Sequence, residues 1–140
     1  MPRKTSIAVA VIALVAMARE LSAQAIPLAQ IAPRTEDEST IDGIVKAYYE
    51  TITGPAGKPR EWARDRTLYI PSIKLIALSM NAGKPVAEIM SHQEYVESSN
   101  DFLIKNGFFE KEIHRVTQSF GNMAHVFSTY EARNTENGPL

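Results

Sequence analysis

The sequence predicts an α+β domain in which helices alternate with antiparallel strands, and two kinds of periodicity support this fold class. Apolar residues follow helical spacing from Ile41 to Ile52 and again after Ser91. Residues 107–133, in contrast, are typical of a long β-hairpin, with two strand-like segments on either side of Gly121-Asn122. The predicted order is helix, helix, strands, helix, strands.

The first two helices have recognisable sequence signals. Ser39 is a candidate N-cap with Asp42 three residues further on, and Gly54-Pro55 stops the helix that follows. A second, shorter helix is predicted over about residues 60–68, where Trp62 is the one large apolar anchor.

The middle of the chain is predicted to form a pair of strands and the third helix. Residues 73–80 are a short apolar run that ends at a turn sequence, which indicates a strand, and residues 86–90 are its candidate partner. Ser91 and Glu94 form an S-x-x-E capping box, and Gly107 ends the helix that this box begins.

The hairpin is predicted to span residues 109–120 and 123–133 around a two-residue turn. A ribbon of two strands is marginal in water, and only seven residues follow it. We therefore expect further strands of this sheet to be missing from the chain. Without them, we expect a poorly folded or aggregation-prone product.

The first 25 residues predict export. The basic pair Arg3-Lys4 precedes an apolar run over residues 7–18, and Ala23-Gln24-Ala25 offers small residues at a cleavage point. This pattern is typical of a secretory signal peptide over residues 1–25. The expected location is the periplasm or the extracellular space, with no membrane attachment after cleavage.

Composition limits the classes of partner and of chemistry. Without the leader the chain has 12 basic and 15 acidic side chains, and the basic ones are interleaved with acids, so nucleic acid is not an expected partner. The absence of cysteine excludes disulfides and a thiol nucleophile. Residues 26–38 are expected to form a flexible lead-in, and residues 39–140 a single domain.

Four segments, IVKAYYETI, EWARDR, GFFEKEIHRV and FGNMAHVFSTYEAR, occur in this order over residues 41–133. Together they resemble the nuclear transport factor 2-like superfamily, and more closely its exported bacterial members described as nuclear transport factor 2 family or SnoaL-like proteins. The resemblance implies a cystatin-like cone, in which three helices pack on a curved antiparallel sheet around a pocket. It also implies two more strands after the hairpin. Members include isomerases, cyclases and dehydratases, so the fold alone does not choose an activity.

The register of the hairpin follows from its two-residue turn, which places Phe120 opposite Met123. One face then holds Glu112, His114, Val116, Gln118 and Phe120 with Met123, His125, Phe127, Thr129 and Glu131. Resemblance to the ketosteroid isomerase branch implies that this face is the concave one. Both faces mix apolar and polar residues, as expected if one packs on the helices and the other on a second subunit, so a homodimer through the sheet is predicted.

Candidate catalytic groups are few. In the ketosteroid isomerase branch a tyrosine of the first helix donates a hydrogen bond to the substrate, and Tyr48 matches its place. Glu131 lies near the second acid of that branch. The general base has no counterpart, because every position of residues 73–80 is apolar, hydroxyl-bearing or lysine. Ketosteroid isomerase chemistry is therefore disfavoured.

The histidines and one pair of glutamates complete the candidates. His114 and His125 are about 13 Å apart in this register and cannot share one ion, so no metal or cofactor is predicted, and each is considered singly as an acid or base. His92 is expected to face solvent. Glu112 is predicted opposite Glu131; either one carboxylate has a raised pKa there, or both point into water.

Three functional hypotheses remain, and the sequence does not decide whether the protein is an enzyme. In the first, the favoured one, the domain binds a small apolar or amphipathic molecule in a pocket. In the second it is an isomerase, cyclase or dehydratase, which a polar group with a shifted pKa at the base of the pocket would favour. In the third it is a dimerisation module without a cavity. The predicted pocket residues are Tyr48, Trp62, His114, Val116 and Phe127, with His125 and Glu131 as catalytic candidates.

Overall fold

A computed structural model describes residues 25–140, so the predicted signal peptide lies outside the described part of the chain except for its last residue. The helices are α1 (Thr35–Glu38), α2 (Ile41–Ile52), α3 (Trp62–Thr67) and α4 (His92–Asn106). The strands are β1 (Leu75–Asn81), β2 (Lys84–Met90), β3 (Phe109–Phe120) and β4 (Met123–Arg133). The predicted α+β class and the order of its main elements are confirmed.

The helix ends follow the local signals closely. Thr40, rather than Ser39, is the N-cap of α2, because its side chain accepts a hydrogen bond from the Gly43 N–H at 2.9 Å. The predicted capping box of α4 is present in both directions between Ser91 and Glu94. Gly107 ends α4 with a φ of 72°, a conformation that favours glycine.

The strands form two antiparallel hairpins, β1–β2 and β3–β4, which are separate two-stranded sheets in the described residues. The β1–β2 pairing is confirmed, and the turn between these strands has positive φ at Ala82 and Gly83. The β3–β4 turn is the predicted one, with a φ of 55° at Gly121. The single curved sheet of a cone stays a prediction.

The predicted hairpin register is confirmed only in its outer part. From Phe120–Met123 to His114–Thr129 each residue faces its predicted partner. A bulge at Ile113 then adds one residue to β3, so Glu112 lies opposite Tyr130 and Lys111 lies opposite Glu131. The prediction that Glu112 faces Glu131 is therefore wrong, and a lysine faces Glu131 instead.

The core lies where the helices converge. Ile52, Trp62, Val96 and Leu103 form a buried cluster, against which Ile26 and Leu28 pack. The segment over residues 26–38, predicted as a flexible lead-in, thus makes specific contacts and includes helix α1.

Both hairpins extend away from this core and leave apolar side chains exposed. Examples are Ile76 and Leu78 in β1 and Phe120 at the tip of β3. At the base of the β3–β4 hairpin, Gly54 and Phe108 exchange two backbone hydrogen bonds of 2.7 and 2.9 Å. No helix formed by residues 25–140 is long and apolar enough to span a bilayer.

Candidate functional site

A cleft rich in tyrosine lies between helix α2 and strand β4, and we call it the aromatic cleft. Its volume is about 220 Å³. Tyr48, Tyr49 and Tyr69 contribute aromatic rings to its lining, and the first two meet edge to face with ring centroids 5.1 Å apart. The other lining residues are Ile44, Val45, Leu68 and Ser128. The cleft is thus mainly apolar with a few hydroxyl groups.

A chain of hydrogen bonds fixes the hairpin against α2 beside this cleft. Tyr49 Oη lies 2.7 Å from Ser128 Oγ, and Ser128 donates its hydroxyl hydrogen to the Glu112 carboxylate, so the Tyr49 hydroxyl is the donor of the first bond. Arg115 donates to both oxygens of Glu112 at 2.8 and 2.6 Å and lowers the pKa of that carboxyl. The same guanidinium pairs with Asp42 of α2 at 2.5 Å. Charge-assisted bonds therefore position one wall of the cleft.

Glu110 of β3 is an acid whose pKa is raised by burial. Its side chain is half-buried, and Oε2 has no hydrogen-bond partner among residues 25–140. Burial raises its pKa from 4.5 to about 7. The carboxylate is close enough to raise the pKa values of Tyr48 and Tyr95, although burial is the larger cause for both. Glu110 is thus a titratable group near the tyrosines of the cleft.

The raised pKa of Glu110 predicts a measurable effect of pH on stability. Because the folded state holds the Glu110 proton more tightly than the unfolded state, the contribution of Glu110 to stability is greatest below about pH 4.5 and is lost as pH rises through about 7. A Glu110→Gln variant has no carboxyl to ionise at this position, so it does not lose stability in this way as pH rises. We expect it to be more stable than the wild type by about 1–2 kcal/mol at pH 8, after allowing for partial exposure, and about equal at pH 4.5.

Urea unfolding of both proteins at several pH values measures this difference. The exposed Glu97 of α4 provides a matched control in a Glu97→Gln variant, which removes a carboxylate from solvent-exposed surroundings. A Glu110→Gln variant whose stability runs parallel to the wild type from pH 4.5 to 8 would show that Glu110 titrates as an ordinary glutamate.

A second polar group of side chains lies inside the helical layer. Asp65 is fully buried, and its carboxylate accepts from Thr51 Oγ1 at 3.0 Å and lies 2.7 Å from His92 Nε2. The prediction that His92 faces solvent is wrong, because its side chain is only 4% exposed. The reason is Asp65, which offers the imidazole a buried hydrogen-bond partner. The Tyr69 ring lies beside the imidazole, with centroids 5.4 Å apart.

Arg64 is the centre of a buried ion network. Its guanidinium donates to both carboxylate oxygens of Asp37 at 2.7 Å, and to Glu50 and Glu61 at 2.9 and 3.0 Å. The hydrogen bonds from Arg64 lower the pKa of Asp37, despite the opposing effect of burial. This network joins α1, α2 and α3 through charge-assisted hydrogen bonds.

The structure does not bring the predicted pocket residues together. Tyr48 lines the aromatic cleft, but Trp62 is part of the buried core, where its Nε1–H donates to Asn100 Oδ1 at 2.8 Å. Val116 and Phe127 are 47% and 53% exposed. The face of the hairpin that contacts α2 is the opposite one, which includes Ser128 and Tyr130. The Val116–Phe127 face, which the resemblance implied to be the concave one, is thus not the face that contacts α2.

The predicted acid and base candidates also lie apart from the cleft. His114 is exposed opposite Thr129 on the outer face, and the His125 ring lies 4.3 Å from the Phe127 ring, measured between centroids. Glu131 pairs with Arg133 at 2.7 Å. Their catalytic roles stay untested predictions. Within residues 25–140, no three side chains of histidine, aspartate or glutamate are arranged to hold a metal ion.

Three buried or half-buried polar residues, one on β3 and two in the helical layer, are absent from the sequence-based set of candidate site residues. Glu110 was missed because the bulge at Ile113 determines which acids of β3 face the helices. Asp65 and His92 were missed because a hydrophilic side chain is expected at the surface, and because the two residues that pair are 27 positions apart in the sequence. One signal was present: Asp65 follows Trp62 by three residues, which places both on the same side of α3.

Comparison with known proteins adds no relative to this description. No protein-family model, no curated protein and no solved structure matches the chain.

Proposed function

We propose that this chain is an exported, nuclear transport factor 2-like domain that binds a small, mostly apolar molecule in the aromatic cleft. The observation that supports this is the cleft itself, where Tyr48, Tyr49 and Tyr69 surround a space with few polar groups. Its volume, about 220 Å³, is below the roughly 300–1,000 Å³ typical of sites for drug-sized ligands, which favours a ligand of about one ring.

The polar groups at the cleft favour a ligand that accepts a hydrogen bond. The hydroxyl hydrogens of Tyr49 and Ser128 are already donated, to Ser128 and Glu112 respectively. Tyr69 Oη, in contrast, is buried and has no hydrogen-bond partner among the described residues. A ring ketone such as cyclohexanone fits these requirements, because it is apolar over most of its surface and only accepts.

The binding proposal is tested with cyclohexanone as the probe. We expect saturable binding in about the millimolar range, observed as progressive shifts of the Leu68 methyl and Tyr48 ring signals in NMR spectra. A Leu68→Trp variant fills the cleft and is expected to weaken binding at least about tenfold, equivalent to roughly 1.4 kcal/mol.

The matched control is Leu78→Trp, because Leu78 is 77% exposed on β1 and does not line the cleft. It introduces the same indole elsewhere and should bind cyclohexanone as the wild type does. Equal weakening by both variants, or no saturable shift in the wild type, would contradict the proposal.

A second candidate function is acid–base catalysis within the same superfamily, as an isomerase, cyclase or dehydratase. Glu110 is the specific observation in its favour, because a half-buried carboxyl with a pKa of about 7 matches the operating range of a general acid or base. This role differs from the one predicted for His114, His125 or Glu131. It requires the raised pKa, so the pH dependence of the Glu110→Gln variant also tests this candidate.

The homodimer through the sheet and the export of the protein stay predictions. The surface available to a second copy is the outer face of the β3–β4 hairpin, around Val116 and Phe127. An apolar face of this kind is compatible with a subunit interface.

A further inference from the structure

A second cleft lies on the other side of Tyr69, between the N-terminal segment and the helical layer. Its volume is about 670 Å³, and it shares only Tyr69 with the aromatic cleft. Apolar residues of the N-terminal segment form one wall, among them Ile26, Leu28 and Ile31. The opposite wall includes Tyr69 and the buried His92. We call this space the histidine cleft.

The imidazole of His92 is part of this wall, and one of its ring nitrogens is unpaired among the described residues. In the neutral form of the imidazole, the Asp65 carboxylate 2.7 Å from Nε2 places the ring hydrogen on that atom, which leaves Nδ1 as an acceptor. Nδ1 is buried and has no hydrogen-bond partner within residues 25–140. Thr51 holds Asp65 from the other side at 3.0 Å, so the orientation of the ring is fixed.

Tyr69 supplies the complementary donor. Its ring centroid lies 5.4 Å from that of His92, and its hydroxyl is also buried without a hydrogen-bond partner among the described residues. A buried polar atom without a partner costs about 1–3 kcal/mol, and two such atoms on neighbouring side chains are uncommon in a purely structural core. A hydroxyl group satisfies both, because it donates to Nδ1 and accepts from the tyrosine.

We propose that the histidine cleft binds a small neutral alcohol, with its hydroxyl between His92 Nδ1 and Tyr69 Oη and its apolar body against the N-terminal segment. The apolar contacts come from Ile26 and Leu28, which pack against the core cluster of the protein. Gln93 anchors this segment by donating from Nε2 to the Ile26 carbonyl oxygen at 3.0 Å. The Tyr69 hydroxyl is the one group that this site shares with the function proposed for the aromatic cleft; the other residues of the two sites differ.

The test compares cyclohexanol with its methyl ether, which has a similar apolar body but cannot donate a hydrogen bond. In ¹⁵N-labelled protein we expect cyclohexanol to shift the His92 Nδ1 resonance saturably, with at least about threefold tighter binding than the ether.

A Tyr69→Phe variant, which removes only the hydroxyl, should weaken cyclohexanol binding about threefold to tenfold. Tyr130→Phe is the matched control and should have no effect, since Tyr130 lies on the hairpin and is 51% exposed.

The proposal would be overturned if cyclohexanol caused no saturable shift of the His92 Nδ1 resonance, or if the alcohol and the ether bound equally well. It would also be overturned if Nδ1 were hydrogen-bonded to a water molecule that cyclohexanol does not displace. The Leu68→Trp variant separates the two clefts. If it abolishes cyclohexanone binding and leaves cyclohexanol binding unchanged, the sites are independent. If it abolishes both, the alcohol occupies the aromatic cleft and the histidine cleft is not its site.

Discussion

Replacing Arg64 with methionine is expected to lower the free energy of unfolding by about 3–5 kcal/mol, the largest effect of any single polar substitution considered. Arg64 is the partner of Asp37, whose side chain is itself buried. Removing the guanidinium leaves this carboxylate without its counter-charge and leaves Glu50 and Glu61 close together. Methionine keeps much of the side-chain volume, so the effect reports mainly on charge.

The measurement is urea unfolding at neutral pH, with Arg66→Met as the matched control on the same helix. Arg66 donates only to the Tyr69 carbonyl oxygen among the described residues, at 3.0 Å, and its loss should cost less than about 1 kcal/mol. Similar stabilities for the two variants would show that the contact between Arg64 and Asp37 contributes little in solution.

Replacing Trp62 with alanine is expected to cost about 3–5 kcal/mol, because the indole is 6% exposed and central to the core cluster. The ring packs at a right angle to Tyr95, with centroids 5.9 Å apart, and its N–H is bonded to Asn100. The variant therefore loses apolar burial, creates a cavity and leaves the Asn100 side chain without this donor.

Phe102→Ala provides the comparison for the loss of an aromatic ring. Phe102 lies on α4 next to the buried Leu103 but is itself 57% exposed, so its removal should cost less than about 1 kcal/mol. Thermal unfolding of both variants separates the two cases. A Trp62→Ala variant as stable as Phe102→Ala would mean that Trp62 is not a core residue, which would revive its predicted place in a ligand pocket.

The parts of the fold that are encoded locally could be predicted from the sequence. The capping box of Ser91 and Glu94 and the positive φ at Gly121 each depend on a few neighbouring residues, and both are present. The outer hairpin register follows from that turn. These features need no knowledge of what the strands pack against.

The candidate site depended on non-local contacts and was predicted only in part. Tyr48 lines a cleft, whereas the Val116–Phe127 face does not contact α2, because the contacts of Ser128 and Arg115 with α2 fix the opposite face of the hairpin. One extra residue at Ile113 also changed which acids of β3 face the helices. His92 was expected in solvent because nothing near it in sequence reveals its pairing with Asp65.

The most direct test of the account is whether a bound ligand contacts the aromatic cleft. Intermolecular nuclear Overhauser effects from cyclohexanone, measured at saturating concentration, locate the ligand without any variant. If cyclohexanone binds in the aromatic cleft, we expect contacts to the Leu68 methyl groups and the Tyr48 ring, which line it. Contacts confined to Val116 and Phe127, on the outer face of the hairpin, would contradict it.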